Sequence, residues 1–396
     1  MKLFIGQNLH NIRILHGYTR KQLAEILQMT EQSVWQYENG YTSPKMDVVN
    51  KLKEIFHVKS QYFYIKDMLT DVKEANVNLH HIAYRSTTIN SIKKTQTEAK
   101  HVKFIDAFLK RIEVNINYSF NQLKELRDIS IEMMNEHHGD RLTVIKQVAD
   151  NARRFLKLDE MGNKNLLFIL EKYGAFIVEK SMGEKVDAYS LWTNDGRPYM
   201  ILGNIKKSAV RRNFDLAHEL GHLLLHYKVE FTTLDNKSYR EFEREANFFA
   251  GELLLPEAEF SKDVFNLPKK SNPVSYIDLK KKWHVSIQAM AYRAHALKLI
   301  TYQQYRYFNM QLHRNDYKVK EPLDDVIAIS KPGKIRSILQ LLFEKEHMTL
   351  EDLLDMLKVD VEFLINLLGV DQDFFSKYAT NIAKQFTIAE LQSKYN

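Results

Sequence analysis

Apolar positions recur along this chain at two spacings, and the switches between them mark its elements. Within residues 1–66 the pattern predicts five short helices. Thr19 and Gln22 form a capping-box pair ahead of Leu23, Ala24, Ile26 and Leu27. Thr30 is placed to cap the next helix, which closes at Asn39-Gly40, and Ser43-Pro44 offers an N-cap and an N1 proline for the one after. Residues 101–165 return apolar side chains at helical spacing, as at Phe104, Ile105, Phe108, Leu109 and Ile112. The period then changes. FIVEK (176–180), AYSLW (188–192) and YMILG (199–203) predict short strands, with a turn at Asn194-Asp195-Gly196. Helices are expected again over 212–227, over 239–255 up to Pro256, and over 276–310. Asn315 through Pro332 is a loose connection, and MTLEDLLDMLKVDVEFLINLLGV predicts a last amphipathic pair.

A chain of 396 residues is too long for one ordinary core. The expected fold is mainly α and multidomain: a five-helix domain at 1–66, a polar linker at 67–100, an α+β domain with a small sheet at 101–325, and a helical region at 326–396. There is no cysteine, which excludes disulfides and thiolate metal sites and suits a reducing compartment. Polar residues interrupt the start of the chain, so no signal peptide is expected, and no apolar run approaches the ~20 residues of a membrane span. A cytoplasmic protein without a membrane partner is the expectation. The formal net charge is +7, unevenly spread. Residues 1–66 carry nine Lys/Arg against five Asp/Glu, while 321–396 carry eight against thirteen. The basic front suits an anionic partner such as nucleic acid; the acidic tail does not.

The run FDLAHELGHLLLHY (214–227) places three imidazoles and a carboxylate in an otherwise apolar segment. Residues four apart lie on one helix face, so His218 and His222 can share a cation. Glu219 lies beside them, near a metal-bound water without being a ligand. Zinc needs a third protein ligand and an open position, and without cysteine the ligand is a carboxylate or a histidine. YREFEREANFFAGELLLP (239–256) offers Glu241, Glu243 and Glu245. Glu243 and Glu245 flank the apolar stripe of that helix at similar angles. Asn247, four residues after Glu243, could brace a ligand and favours Glu243. His226 is rotated about 80° from His218 and suits a supporting role. Tyr189, His226 and Arg197 are candidate donors to a developing oxyanion.

TRKQLAEILQMTEQSVWQYENGYTSP (19–44) has the form of a helix-turn-helix, with a tight turn around Gln28-Met29. Glu31, Gln32, Ser33 and Gln36 lie on the half of the second helix that meets base edges. Glutamine can pair bidentately with adenine, and Glu31 would repel phosphate or accept from cytosine. Arg13, Arg20, Lys21 and Lys45 are candidate phosphate contacts. YIDLKKKWHVSIQAMAYRAHALKLI offers a second such unit, read as packing, and the acidic pair at 349–370 is read as an interaction or sensor element.

Two resemblances sharpen this picture. The 19–44 segment resembles the helix-turn-helix of phage-repressor-like (XRE-type) regulators. RRNFDLAHELGHLLLH followed by EREANFFAGELLLP resembles the ImmA/IrrE metallopeptidases, gluzincin-like zinc proteins, and IAYRS (82–86), 187–202 and 279–294 resemble further segments of their long members. The resemblance implies Zn2+ held by His218, His222 and Glu243, with Glu219 as the catalytic base. It also implies a repressor protein as substrate, a partner or the chain itself. The helix-turn-helix implies a double-stranded operator and, from half-site symmetry, a homodimer. If cleavage falls in this chain, the polar stretch 67–100 with Lys93-Lys94 is the accessible place for it. The competing readings are a non-proteolytic repressor and an antitoxin-like binding protein, either with a structural or sensory zinc site.

Overall fold

The computed structural model describes residues 3–66, 69, 83–84, 92–113, 121–136, 139–182, 188–204, 208–227, 229, 234–345 and 348–379. They fall into two compact units. One comprises Met1–Glu74, Lys103–Ile116 and Ile335–Asn396; the other comprises Ala75–Val102 and Asn117–Lys334.

The first unit opens with α1 (Gly6–Leu15), α2 (Arg20–Leu27), α3 (Glu31–Glu38) and α4 (Met46–Phe56), closed by a 3-10 turn at Ser60–Tyr64. The Thr19–Gln22 capping box is formed, and Thr30 accepts from the Ser33 amide. Between them Gln28 takes the left-handed conformation, φ 59°, that turns the chain from α2 into α3. The start of α4 differs from expectation. Its N-cap is Lys45, with no side-chain cap bond, and Pro44 is buried ahead of the helix instead of opening it. Leu9, Ile12, Leu23, Val34, Val49, Leu52 and Phe56 are fully buried and form the core. Gly6 lets α1 touch the end of α3, because a Cβ there would overlap the carbonyl oxygens of Tyr37 and Glu38.

A buried carboxylate organises this bundle. Arg13 donates to both oxygens of Glu38, Arg20 Nε lies 2.6 Å from Oε2, and His10 Nδ1 lies 3.4 Å from Oε2. Arg13 also donates to the Tyr18 carbonyl at 2.7 Å. Arg13 is therefore a buried structural cation, away from the phosphate-contact role read from sequence.

The same unit contains the C-terminal helices Lys334–Glu344, Leu350–Leu357, Val361–Leu368 and Gln372–Ser376. Val58 and Val359 form an antiparallel bridge. Around it the Lys59 amide donates to the Lys358 carbonyl at 2.8 Å and the Asp360 amide to the His57 carbonyl at 2.9 Å. His57 and Lys358 are both left-handed, so the two chain turns meet in the same way from either side. The Phe363 ring lies 6.4 Å from those of Phe104 and His16. The acidic tail pair thus buries its apolar faces against the N-terminal helices.

The second unit holds a four-stranded sheet of order β1-β3-β4-β2, formed by Ala83–Tyr84 (β1), Phe176–Lys180 (β2), Ala188–Trp192 (β3) and Pro198–Gly203 (β4). β3 runs antiparallel to β1 and β4, whereas β2 and β4 are parallel. β3 and β4 are buried almost throughout, as continuous apolar strands covered on both faces are. The β3–β4 turn falls at 194–196, with Gly196 at φ 84° and paired Thr193–Arg197 backbone.

The helix Ala209–Leu225 packs on this sheet, and a second helix, Asn236–Leu254, packs on the first. β3 is tied to the first by Ser190 Oγ donating to the Glu219 carbonyl at 3.1 Å and Trp192 Nε1 donating to the Leu223 carbonyl at 2.8 Å. Asn163 ties the end of the second by donating to the Leu254 and Trp283 carbonyls. The segment that offered a second helix-turn-helix does bend like one, with His284 left-handed. Its Lys280 is fully buried on Glu321 and Asp324, at 2.9 and 2.7 Å, and Trp283, Val285, Ile287 and Met290 join the core. It is packing.

Most of 67–100, the expected linker, lies outside the described residues. Of its described parts, Ala83–Tyr84 is strand β1 and residues 92–100, which include Lys93-Lys94, open the helix Ile92–Ile112. No helix of the described residues is long and apolar enough to cross a membrane.

Candidate metal centre

The helix Ala209–Leu225 is buried along nearly its whole length, with Leu216, Leu220 and Leu224 in the core. His218 and Glu219 are fully buried and His222 nearly so. The second helix reaches them because of a small-residue contact. A Cβ on Gly221 would lie 3.0 Å from Phe249 Cδ1 and 3.3 Å from Ala246 Cα. Glycine between the two motif residues and alanine opposite therefore set how close the helices come, and Glu243 sits one turn before that contact. Gly221→Ala is expected to force the helices apart, destabilising the unit by about 1–3 kcal/mol. Thermal unfolding and metal content of the variant check this; both unchanged would show that the close approach does not matter.

Three side chains converge. His218 Nε2 and His222 Nε2 are 3.0 Å apart, and the Glu243 carboxylate lies 3.5 Å from the first and 3.3 Å from the second. A tetrahedral cation with bonds of about 2.0–2.1 Å has ligand atoms roughly 3.3–3.4 Å from one another, so the three atoms sit where three corners would be. Among the described residues this is the cluster that offers three such atoms to one point. A carboxylate facing two imidazole nitrogens is the donor set a divalent cation needs.

The outer nitrogens are also occupied. His218 Nδ1 faces Asn247 Oδ1 at 3.1 Å. That oxygen only accepts, so the proton is on Nδ1 and the Nε2 lone pair faces the centre. His222 Nδ1 faces His226 Nδ1 at 2.9 Å, and His226 Nε2 faces Glu245 Oε2 at 3.1 Å. Arg141 holds the other side of Glu245 with two bonds of 3.0 Å. Burial pushes the His226 pKa down to about 4. Both flanking carboxylates weighed from sequence thus reach the histidine row, Glu243 at the centre and Glu245 behind it, while Glu241 is exposed.

Two of the three candidate oxyanion donors are engaged elsewhere. Tyr189 donates to Glu98 Oε2 at 2.9 Å, and His226 uses both nitrogens as described. Arg197 is half-buried, 3.9 Å from Asp195.

In the N-terminal unit Lys21, Glu31, Gln32 and Lys45 are exposed, and Gln36 and Ser33 are partly so. Ser33 Oγ is 2.8 Å from Thr30 Oγ1, within the helix cap. Arg20 is half-exposed, with its Nε turned to Glu38. Sequence reasoning missed Glu38, which carries no motif of its own, and Arg141, which is distant in sequence from the helix it supports.

Comparison with known proteins agrees with this division. Residues 9–63 match the helix-turn-helix family and residues 170–295 match the IrrE N-terminal-like domain, a peptidase family. A further similarity is to the HTH-type transcriptional regulator ImmR of Bacillus subtilis, at 30% identity over 73 residues. That match takes in 18% of this chain and 58% of the relative's length. In one polypeptide, this chain carries a segment similar to helix-turn-helix domains and a second similar to the IrrE-like peptidase family.

Proposed function

We propose that the chain is a DNA-binding regulator whose second unit is a zinc endopeptidase acting on a repressor protein. The observation that carries this reading is the convergence of His218, His222 and Glu243 at tetrahedral spacing, with Glu219 buried on the same helix. Those three residues would hold the ion. Bound zinc would supply Lewis acidity, polarising the scissile carbonyl and acidifying water. Glu219 is not among the three converging groups, so its carboxylate serves as base. It takes the proton of the water that attacks the carbonyl carbon and delivers it to the amine nitrogen as the C–N bond breaks. Asn247 keeps the His218 lone pair aimed inward throughout. The metal content of the purified chain, followed by mass spectrometry of candidate repressors incubated with it, tests the reading. A metal-free site, or intact repressors beside a fully loaded chain, would contradict it.

The front of the chain supplies the address. Gln32 and Gln36 present amides from the exposed face of α3, suited to adenine edges, with Lys21 and Lys45 on flanking phosphates. Glu31 at the start of α3 favours a site where a cytosine amino group meets it. Two copies on a symmetric operator fit the geometry of such domains. Gln36→Ala is expected to relax sequence preference by about 1–3 kcal/mol for the lost bidentate contact. Lys21→Ala should instead weaken all sequences alike and flatten the salt dependence. Binding titrations on operator and scrambled duplexes separate the two; an unchanged preference in Gln36→Ala would move the reading face elsewhere.

A further inference from the structure

We propose that the second unit carries a binding site for a small organic anion, apart from the metal centre, in a cavity of about 400 Å3 beside the start of the helix Ala209–Leu225. Arg212 and Leu216 line it, whereas His218, two residues after Leu216, is turned about 200° away around the helix axis. The cavity and the metal-binding histidines therefore use different faces of one helix. The walls of the cavity are fixed. Asn213 donates to the carbonyls of Asn163, at 3.0 Å, and of His284, at 3.4 Å, so the chain at 163 and at 284 closes on the helix. The segment 326–330 supplies another wall. It is pinned ahead of the cavity by Asp324, which accepts from Ser208 at 2.8 Å and from Lys280 at 2.7 Å. Beyond the cavity it is pinned by the Ser330 carbonyl, which accepts from Arg212 at 3.2 Å. A space held open between hydrogen-bonded walls is a preformed pocket, of the size that small ligands occupy.

The lining sets the chemistry of the occupant. Leu167, Leu216 and Ile327 make the interior apolar. No carboxylate is among the described residues that line it, while Lys164, Arg212 and Asn213 all carry hydrogens to donate. Glu179 pairs with Arg212 and offsets its charge. Lys164, exposed at the rim, forms no ion pair among the described residues, so it carries the net positive charge of the lining. His284 adds a neutral ring, because burial lowers its pKa. Its Nδ1 is shielded from water and finds no partner at hydrogen-bonding geometry among the described residues. A molecule with a compact apolar body and one carboxylate or sulfonate fits this lining. Its body covers the leucines, and its anion meets Lys164 with uncharged nitrogens beside it.

Fluorescence titration of the full chain with anilinonaphthalene sulfonate tests the site, with N-phenylnaphthylamine as the same rings without the charge. One sulfonate probe should bind per chain, about fivefold more tightly than the neutral probe, the worth of one charged contact at a rim open to water. Lys164→Ala, which removes an exposed side chain and leaves no core cavity, should bring the two probes to similar affinity. Ala328→Trp, which fills the cavity from its exposed wall, should lose both probes. Lys172→Ala, exposed on the helix Leu166–Lys172 and outside the lining, should change neither. Full probe binding in Ala328→Trp would place the probe elsewhere and overturn the site, as would a wild-type chain that binds neither probe. An unchanged sulfonate preference in Lys164→Ala, or an equal loss of it in Lys172→Ala, would overturn the anion assignment. The titration is run on metal-stripped protein, so it stands or falls apart from the zinc reading.

Discussion

Glu219→Gln is expected to keep its metal and lose peptide hydrolysis by about two to four orders of magnitude, the range that a positioned general base contributes. The substitution keeps the shape of a fully buried side chain and removes only its ability to take a proton. The converging ligands are His218, His222 and Glu243, so the variant should bind one zinc per chain as tightly as wild type. His222→Ala separates the roles from the other side. It removes one of the three corners and should lose metal and hydrolysis together. Metal stoichiometry and single-turnover cleavage on the same preparations make the comparison. A Glu219→Gln chain that cleaves at the wild-type rate would remove the assigned base, and a His222→Ala chain with full metal would remove the ligand set.

The second large effect lies in the N-terminal unit. Glu38→Ala is expected to destabilise it by about 3–5 kcal/mol, because it leaves Arg13 buried and uncompensated. The same carboxylate carries a pH dependence. Burial would raise its pKa, but His10, Arg13 and Arg20 together bring it from 4.5 down to about 2. A depressed carboxylate contributes stability that is complete above its unfolded value and is lost as pH falls from there through the folded value. The bundle should therefore weaken between about pH 4.5 and 2, and Glu38→Ala should lack that dependence. Amide exchange of peptides from α1 to α3 in the full chain reads this locally. Protection unchanged in the variant would reduce Glu38 to a bystander.

What was legible in the sequence was what local spacing encodes. The strands at 176–180 and 188–192 emerge where read, because β-branched and aromatic side chains (Phe176, Ile177, Val178; Tyr189, Trp192) cluster there over a few residues. The Thr19 and Thr30 caps are legible because their hydrogen bonds span three residues. Strand β1 was not: two residues carry no period, and their pairing with Tyr189 and Ser190 is set by a distant partner. Ser43-Pro44 had the chemistry of a helix start, yet burial of Pro44 moved the cap to Lys45. Glu243 and Glu245 were indistinguishable on a helical wheel, because the crossing at Gly221 and Ala246 decides which flank meets which histidine. Arg13 read as a surface cation for want of any local sign of Glu38. The amphipathic pair at 349–370 announced apolar faces in need of cover without saying that the cover was the N-terminal bundle.

The bridge between Val58 and Val359 bears on any attempt to sever the front of the chain from the rest. Among the described residues, the DNA-binding helices are held not by the polypeptide that follows residue 66 alone but also by the packing of Leu350–Leu357 and Val361–Leu368, in a unit that takes in Lys103–Ile116 as well. A single nick within 67–100 breaks only the first. The N-terminal fragment would stay docked as a non-covalent complex and would co-migrate with the remainder under native conditions, parting from it only in denaturant. Release from the operator by proteolysis of this chain would thus require the nick to loosen the other two segments of the unit as well, Lys103–Ile116 and the C-terminal helices.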